Sequence, residues 1–178
     1  MMKKLLAILM ITAMLCGITA CRQGTPETEP SFIIEPSVRI KDETITLPCT
    51  LRDLEHIITD GQVLEYTREN IAITFALYDD KMIGLLYFEN VSKNDDLSDK
   101  TIARIELFDG WDFHGISSGT SFEEIRNKFG EPTVGITYDS VTKTPFYMGY
   151  ALGGGYKADL CGTNGAATEI RIGYLNLN

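Results

Sequence analysis

Two histidines, four cysteines and 25 acidic residues are the side chains from which chemistry would have to be built. His56 and His114 belong to no H-x-x-x-H or H-E-x-x-H pattern, and no C-x-x-C is present, so no zinc site is expected. Asn94-Asp95-Asp96-Leu97-Ser98-Asp99 gathers oxygen ligands. It lacks the glycine and the distal glutamate of an EF-hand loop and reads as a solvated loop. No G-x-S-x-G marks a serine nucleophile. Ser117, Ser118 and Ser121 fall at a helix start, where a hydroxyl caps backbone amides. Gly153-Gly154-Gly155 follows a strand with no helix after it, which is a turn and not a phosphate cradle. Acid pairs for sugar hydrolysis exist in any acidic chain, and nothing singles one out. These residues nominate no catalytic group, no metal and no cofactor.

The informative cysteine is Cys21. Met1–Ala20 opens with Lys3 and Lys4, followed by a largely apolar run from Leu5 to Ala20. The run is short for a membrane span of about 20 residues and suits a signal peptide. It ends Ile18-Thr19-Ala20-Cys21, which resembles a bacterial lipobox. The resemblance implies cleavage before Cys21 and attachment of a diacylglycerol to its sulfur, with acyl chains of the palmitate type holding the protein on the outer face of the cell membrane. Residues 1–20 are then the lipoprotein signal peptide. Residues 21–38, with Pro26, Pro30 and Pro36 among polar residues, read as a tether. Within it Phe32-Ile33-Ile34 is either an edge strand or a sticky spot in the linker.

Composition and charge narrow the partners. The chain has 178 residues, 44% hydrophobic and 23% charged, with a formal charge of −9. The first 20 residues carry two Lys and no acid, so the remainder holds 14 basic against 25 acidic residues, near −11. Such a body repels phosphate backbones, and no nucleic-acid partner is expected. Cys16 leaves with the signal peptide and Cys21 is lipidated. Cys49 and Cys161 remain, an even pair in an exported domain, so a disulfide between them is one reading and two independent thiols the other.

The elements that would position any site repeat themselves. Ile45–Thr59 and Ile116–Gly130 align at an offset of 71 residues. Thr50-x-x-Asp53 and Ser121-x-x-Glu124 are capping boxes. Leu51, Leu54 and Ile58, and Phe122, Ile125 and Phe129, follow at helical spacing. Strands are expected after the first helix over 63–67, 71–78, 82–91 and 101–108. After the second they are expected over 133–138, 146–151, 155–161 and 168–175. Ile71, Ile73, Phe75 and Leu77 are assigned to the helix-facing side, with Ala103, Ile105, Leu107, Ile170, Ile172 and Tyr174. The other side carries Thr74, Tyr78, Arg104, Glu106, Glu169 and Arg171, polar enough to face water or a partner. The expected fold is therefore α+β: two tandem repeats, 39–109 and 110–178, each a short helix packed on an antiparallel sheet of about four strands.

Gly119, Ser121, Glu124, Ile125, Gly130 and Pro132 resemble a segment of the β-lactamase inhibitory protein fold and of the SmpA/OmlA-like lipoproteins. Similar segments recur in surface lipoproteins of Gram-positive bacteria. The first copy is degenerate, with Pro48-Cys49 in place of Gly119-Thr120. The resemblance implies the tandem architecture and carries no inhibitory activity across.

Aromatic residues give a binding role its candidates. Trp111 is the single Trp, and with Phe113 it lies between the repeats. Tyr78, Tyr87, Tyr147 and Tyr150 fall on strands. Trp and Tyr anchor protein interfaces. Trp111 either plugs the seam or is exposed, and most Tyr are either core or anchors. The expectation is a membrane-anchored extracytoplasmic lipoprotein that binds another extracytoplasmic protein without enzymatic activity. An inhibitor or accessory factor of a secreted or envelope enzyme is the alternative, and an enzyme of undetected type is the third.

Overall fold

The computed structural model describes residues 33–66 and 70–175, with backbone alone over 59–66. The signal peptide, Cys21 and most of the tether lie outside the described residues. Among the described residues twelve strands form two sheets. The small sheet has the order β2-β1-β7-β8, from β1 (Ser37–Ile40), β2 (Glu43–Thr46), β7 (Trp111–Phe113) and β8 (Ile116–Ser117). The large sheet takes β3 (Thr59–Tyr66), β4 (Ala72–Tyr78), β5 (Lys81–Phe88) and β6 (Ile102–Leu107) from one half of the chain. From the other half it takes β9 (Gly135–Tyr138), β10 (Pro145–Ala151), β11 (Tyr156–Thr163) and β12 (Ala166–Tyr174). Its order is β3-β4-β5-β6-β12-β11-β10-β9, with every neighbouring pair antiparallel.

The expected pair of helix-plus-sheet units is overturned: the protein is predominantly β. β6 and β12 pair through Ile170↔Leu107, Arg171↔Glu106 and Ile172↔Ile105, so the eight strands share one sheet. Alternation along a strand fixes which side chains share a face. It does not say which two edges will meet. The strands of the small sheet are not among those expected: β1 straddles the boundary between the tether and the first unit, and β7 and β8 fall at the start of the second unit, ahead of its helix. The Phe32–Ile34 alternatives resolve partly: Ile34 is buried and its carbonyl accepts from the Gly153 amide at 2.8 Å, while Ile33 is exposed.

Among the described residues only one helix of more than a turn forms. α1 (Leu51–Leu54) is a single turn. The Ile57 and Ile58 amides both fold back onto the Leu54 carbonyl, and β3 begins at Thr59, so a tight turn replaces further helix. α2 (Phe122–Phe129) has eight residues. Ser121 Oγ accepts from the Glu124 amide at 3.2 Å, and Glu124 Oε2 accepts from the Ser121 amide at 3.1 Å, closing the capping box. Gly130, at φ 80°, ends the helix where a side chain would be strained. Thr50 and Asp53 close the matching box at α1.

One contiguous core joins the two sheets and α2. The small sheet contributes Val38, Ile40, Ile45, Trp111, Phe113 and Ile116, and α2 contributes Phe122 and Ile125. The large sheet faces them with Leu86, Ile105, Leu107, Met148, Leu160, Ile170 and Ile172. The expected register of β4 is reversed. Ala72, Thr74 and Ala76 are each 0% exposed, and Ile73, Phe75 and Leu77 take the other side. The small side chains take the core face, and in the same sheet β5 lies close against β6 beside them. A Cβ on Gly84, paired with Ala76, would lie 2.0 Å from the Glu106 carbonyl oxygen.

Candidate binding face of the large sheet

Residues opposite one another in neighbouring strands point to the same face of a sheet. The face away from the core can therefore be read row by row. One row runs Ile73, Tyr87, Arg104, Gly173, Lys157. The next runs Phe75, Leu85, Glu106, Arg171, Asp159, Gly149. A third runs Glu169, Cys161, Tyr147, Thr137. An apolar strip on β4 and β5 thus gives way to a charged centre on β6, β12 and β11, with Tyr147 beyond it on β10.

The centre is an ion-pair network around Glu106, which is only 7% exposed. Tyr87 donates its hydroxyl proton to Glu106 Oε2 at 3.0 Å. Arg171 Nε lies 3.5 Å from Glu106 Oε1 and also contacts Glu169 Oε1. Arg104 sits 3.8 Å from Glu106 Oε2, and its guanidinium lies 3.7 Å above the Tyr87 ring. Beside this network Lys157 Nζ pairs with Asp159 Oδ2 at 3.0 Å, and Tyr147 donates to Asp159 Oδ1 at 2.8 Å. Three cations, Arg104, Arg171 and Lys157, balance three carboxylates, Glu106, Glu169 and Asp159. A chain of net charge −9 thus presents here a balanced patch.

Titration follows the crowding. Burial raises the Glu169 carboxyl above the usual range, against the pull of Arg171. Burial raises the Tyr87 hydroxyl, and burial with the hydrogen bond to Asp159 raises that of Tyr147. Both phenols stay protonated and act as donors at neutral pH. Glycines let the long side chains lie flat. A Cβ on Gly149 would come within 2.6 Å of the Tyr147 hydroxyl oxygen, and one on Gly173 within 3.0 Å of Arg104 Cβ.

The expected site residues scatter. Tyr87 and Tyr147 share this face, with β6, β12 and β11 between their strands. Tyr78 does not join them: it lines a separate cleft of about 330 Å³, with Lys41 Nζ 3.9 Å from its ring centroid. Trp111 and Phe113 are 3% and 0% exposed, so both are core and neither is an exposed anchor. Of the polar residues assigned to the outer side, Arg104, Glu106, Glu169 and Arg171 are there, and Thr74 is in the core. Lys157, Asp159 and the apolar strip of β4 and β5 were missed. Inverting β4 was the error that hid the strip.

Cys49 and Cys161 are free thiols, which corrects the disulfide reading. Cys161 shares the outer face with Glu169 and Tyr147, and Cys49 packs against the core that the sheet's inner face covers. Burial pushes the Cys49 thiol up to about 12 and the Cys161 thiol up to about 11. Among the described residues no group of three or more His, Cys, Asp or Glu side chains is placed to hold a metal ion. None of the described helices is long and apolar enough to cross a membrane.

No family model matches the chain, and no curated protein matches it. Among solved structures, a crystal structure of a DUF4309 family protein, YjgB, from Bacillus subtilis is similar over 65% of this chain and 68% of that one. The identity is 13% and the TM-score 0.26, a likeness that carries no argument about fold or role.

Proposed function

We propose that the chain is an extracytoplasmic lipoprotein, held on the membrane through Cys21, and that the outer face of its large sheet binds another extracytoplasmic protein without catalysing a reaction. The observation that carries this reading is the network around Glu106 next to the apolar strip of Phe75, Leu85 and Tyr87. Arg and Tyr on a rigid sheet are the residue types that dominate binding energy at interfaces. Ion pairs already closed within the face fix its polar groups in place, so less freedom is lost on docking. The lipobox resemblance supports the address, and the acidic body argues against nucleic acid.

One feature favours the inhibitor or accessory reading as second. The β9–β10 hairpin turns at Asp139, whose Oδ1 accepts from the amides of Val141 and Thr142 at 2.9 and 2.6 Å. The turn holds Val141 out at 85% exposure. A rigid turn with an apolar tip is suited to entering a cleft.

The test is site-specific photo-crosslinking on native cells. A photoreactive residue replacing Leu85 or Tyr147 should trap a discrete partner, and one replacing exposed Lys93 should not. Capture at Val141 alone favours the second reading. Capture at none of these positions removes both.

A further inference from the structure

The large sheet has two edges, and they are built differently. β3, at one end, carries Asp60 and Glu65, and its pairing with β4 breaks register twice. Charges and bulges of this kind keep a sheet edge from pairing with another chain. β9, at the other end, reads Gly-Ile-Thr-Tyr with no charge and no proline. Among the described residues no strand pairs with its outer side.

The surroundings of β9 are apolar and exposed. Eight large apolar side chains are exposed among the described residues, and four of them, Val134, Tyr138, Val141 and Phe146, fall within 134–146. The edge borders a cleft of about 500 Å³ between α2 and the hairpin, lined by Phe122, Glu123, Arg126, Asn127, Tyr138 and Met148. A strand added to β9 would set alternate side chains toward this cleft and the remainder toward Thr137, on the other face.

We infer that β9 is a docking edge for an extended segment of another protein, which adds as a ninth strand and places alternate apolar side chains in the cleft beside α2. Backbone hydrogen bonds supply affinity in this mode, and the pockets between them supply specificity. Charge selects the occupant. A second copy of the chain brings another −9 and is repelled. The cleft wall carries Glu123, which has no ion pair among the described residues, and exposed Glu131 precedes the strand. Arg126 is engaged by Glu131 at 3.5 Å and donates to the Tyr138 hydroxyl at 3.3 Å. The segment that fits is therefore an alternating one with apolar residues on one side and Lys or Arg on the other. The cleft beside α2 lies on the opposite side of the sheet from the Glu106 network, and Thr137 alone of β9 is in a row with Tyr147 and Glu169. Loss of crosslinking at Leu85 therefore leaves the edge proposal standing, and loss of peptide binding leaves the Glu106 face standing.

The full chain in mild detergent is used as bait for a random decapeptide library displayed on phage. Enriched peptides should alternate apolar residues and carry net positive charge. Their affinity should fall at least tenfold on Ile136→Pro, which removes a backbone donor on the free side of β9, because the Thr137 and Asp139 backbone groups face β10. Because Ile136→Pro also strains β9, Thr137→Lys is measured beside it: it keeps the backbone, sets a cation against the basic side of the peptide, and should weaken binding by a similar factor. N-methylation of alternate peptide residues should abolish binding at unchanged side chains and charge. No enrichment, equal binding of N-methylated peptides, or equal affinity for Thr137→Lys overturns the inference. Dimers of the unliganded chain that Thr137→Lys dissolves overturn it in favour of a second copy.

Discussion

Arg171 on β12 stands directly across from Glu106 on β6, with Nε 3.5 Å from Oε1, at the junction of the two sets of four strands. The pair lies where the chain's two halves become one sheet. It also sits at the middle of the face proposed to bind. Glu106 is nearly excluded from water while Arg171 keeps 39% of its side chain exposed, so the two ends of the pair are not equivalent.

Removing Arg171 leaves the Glu106 carboxylate with Tyr87 and a distant Arg104. Arg171→Ala is expected to cost about 1–2 kcal/mol, less than a fully buried pair because water reaches the guanidinium. Glu106→Leu with Arg171→Ala should cost less than the two single changes added together, since the nearly buried Glu106 carboxylate is then gone, although Glu169 still loses Arg171. Urea unfolding of the two single variants and the double variant measures the coupling. Additive effects would show that the pair contributes nothing to the junction.

The thiols predict an alkaline limit. Folding raises Cys49 from 9.0 to about 12 and Cys161 from 9.0 to about 11, both by burial. The folded chain holds these protons more tightly than the unfolded one. Stability from this source is complete below about pH 9 and is lost as pH climbs through the folded values. Tyr87, Tyr147 and Tyr150, also raised by burial, act with the same sign from about pH 10. The urea midpoint should be flat near neutrality and fall above about pH 9.5. Peptide mapping of unreduced, denatured protein should find Cys49 and Cys161 alkylated. A disulfide-linked peptide would contradict the free thiols.

Anchoring is tested apart from the fold. Cys21→Ser should release the protein from membranes or leave it unprocessed. Incorporation of labelled fatty acid should fall to background. Unchanged labelling would exclude Cys21 as the acyl acceptor.

Local signals in this sequence were legible and global ones were not. Ser121 with Glu124 and Thr50 with Asp53 announced their caps, because a capping box is written within four residues. All eight strands of the large sheet were expected near their observed places, as β-rich stretches after each helix. Pairing of β6 with β12 joins residues such as Glu106 and Arg171, and no local pattern encodes it. β4 misled for a different reason. Its larger apolar residues, Ile73 and Phe75, face outward, and Ala72 and Ala76 face the core. Trp111 and Phe113 looked like anchors by residue type alone, and only three-dimensional packing puts them in the core.

The final prediction concerns cooperativity. Leu54 and Ile125 are 3% and 0% exposed and belong to the same core cluster, one from each end of the chain. Truncating either to Ala should cost about 2–5 kcal/mol through lost burial and the cavity left behind. Ser121→Ala should cost about 1 kcal/mol by freeing a helix amide, and Glu123→Ala, on the exposed side of α2, about 0.5 kcal/mol or less. Two separate units would unfold in two steps, with Leu54→Ala shifting one and Ile125→Ala the other. One sheet over one core predicts a single transition that both variants shift. Far-ultraviolet circular dichroism follows the sheet, and near-ultraviolet dichroism follows Trp111 and its neighbours. The two curves should coincide in the wild type and in both variants. Separation of the curves in Leu54→Ala alone would mean that the β6–β12 junction does not couple the halves, whatever its hydrogen bonds.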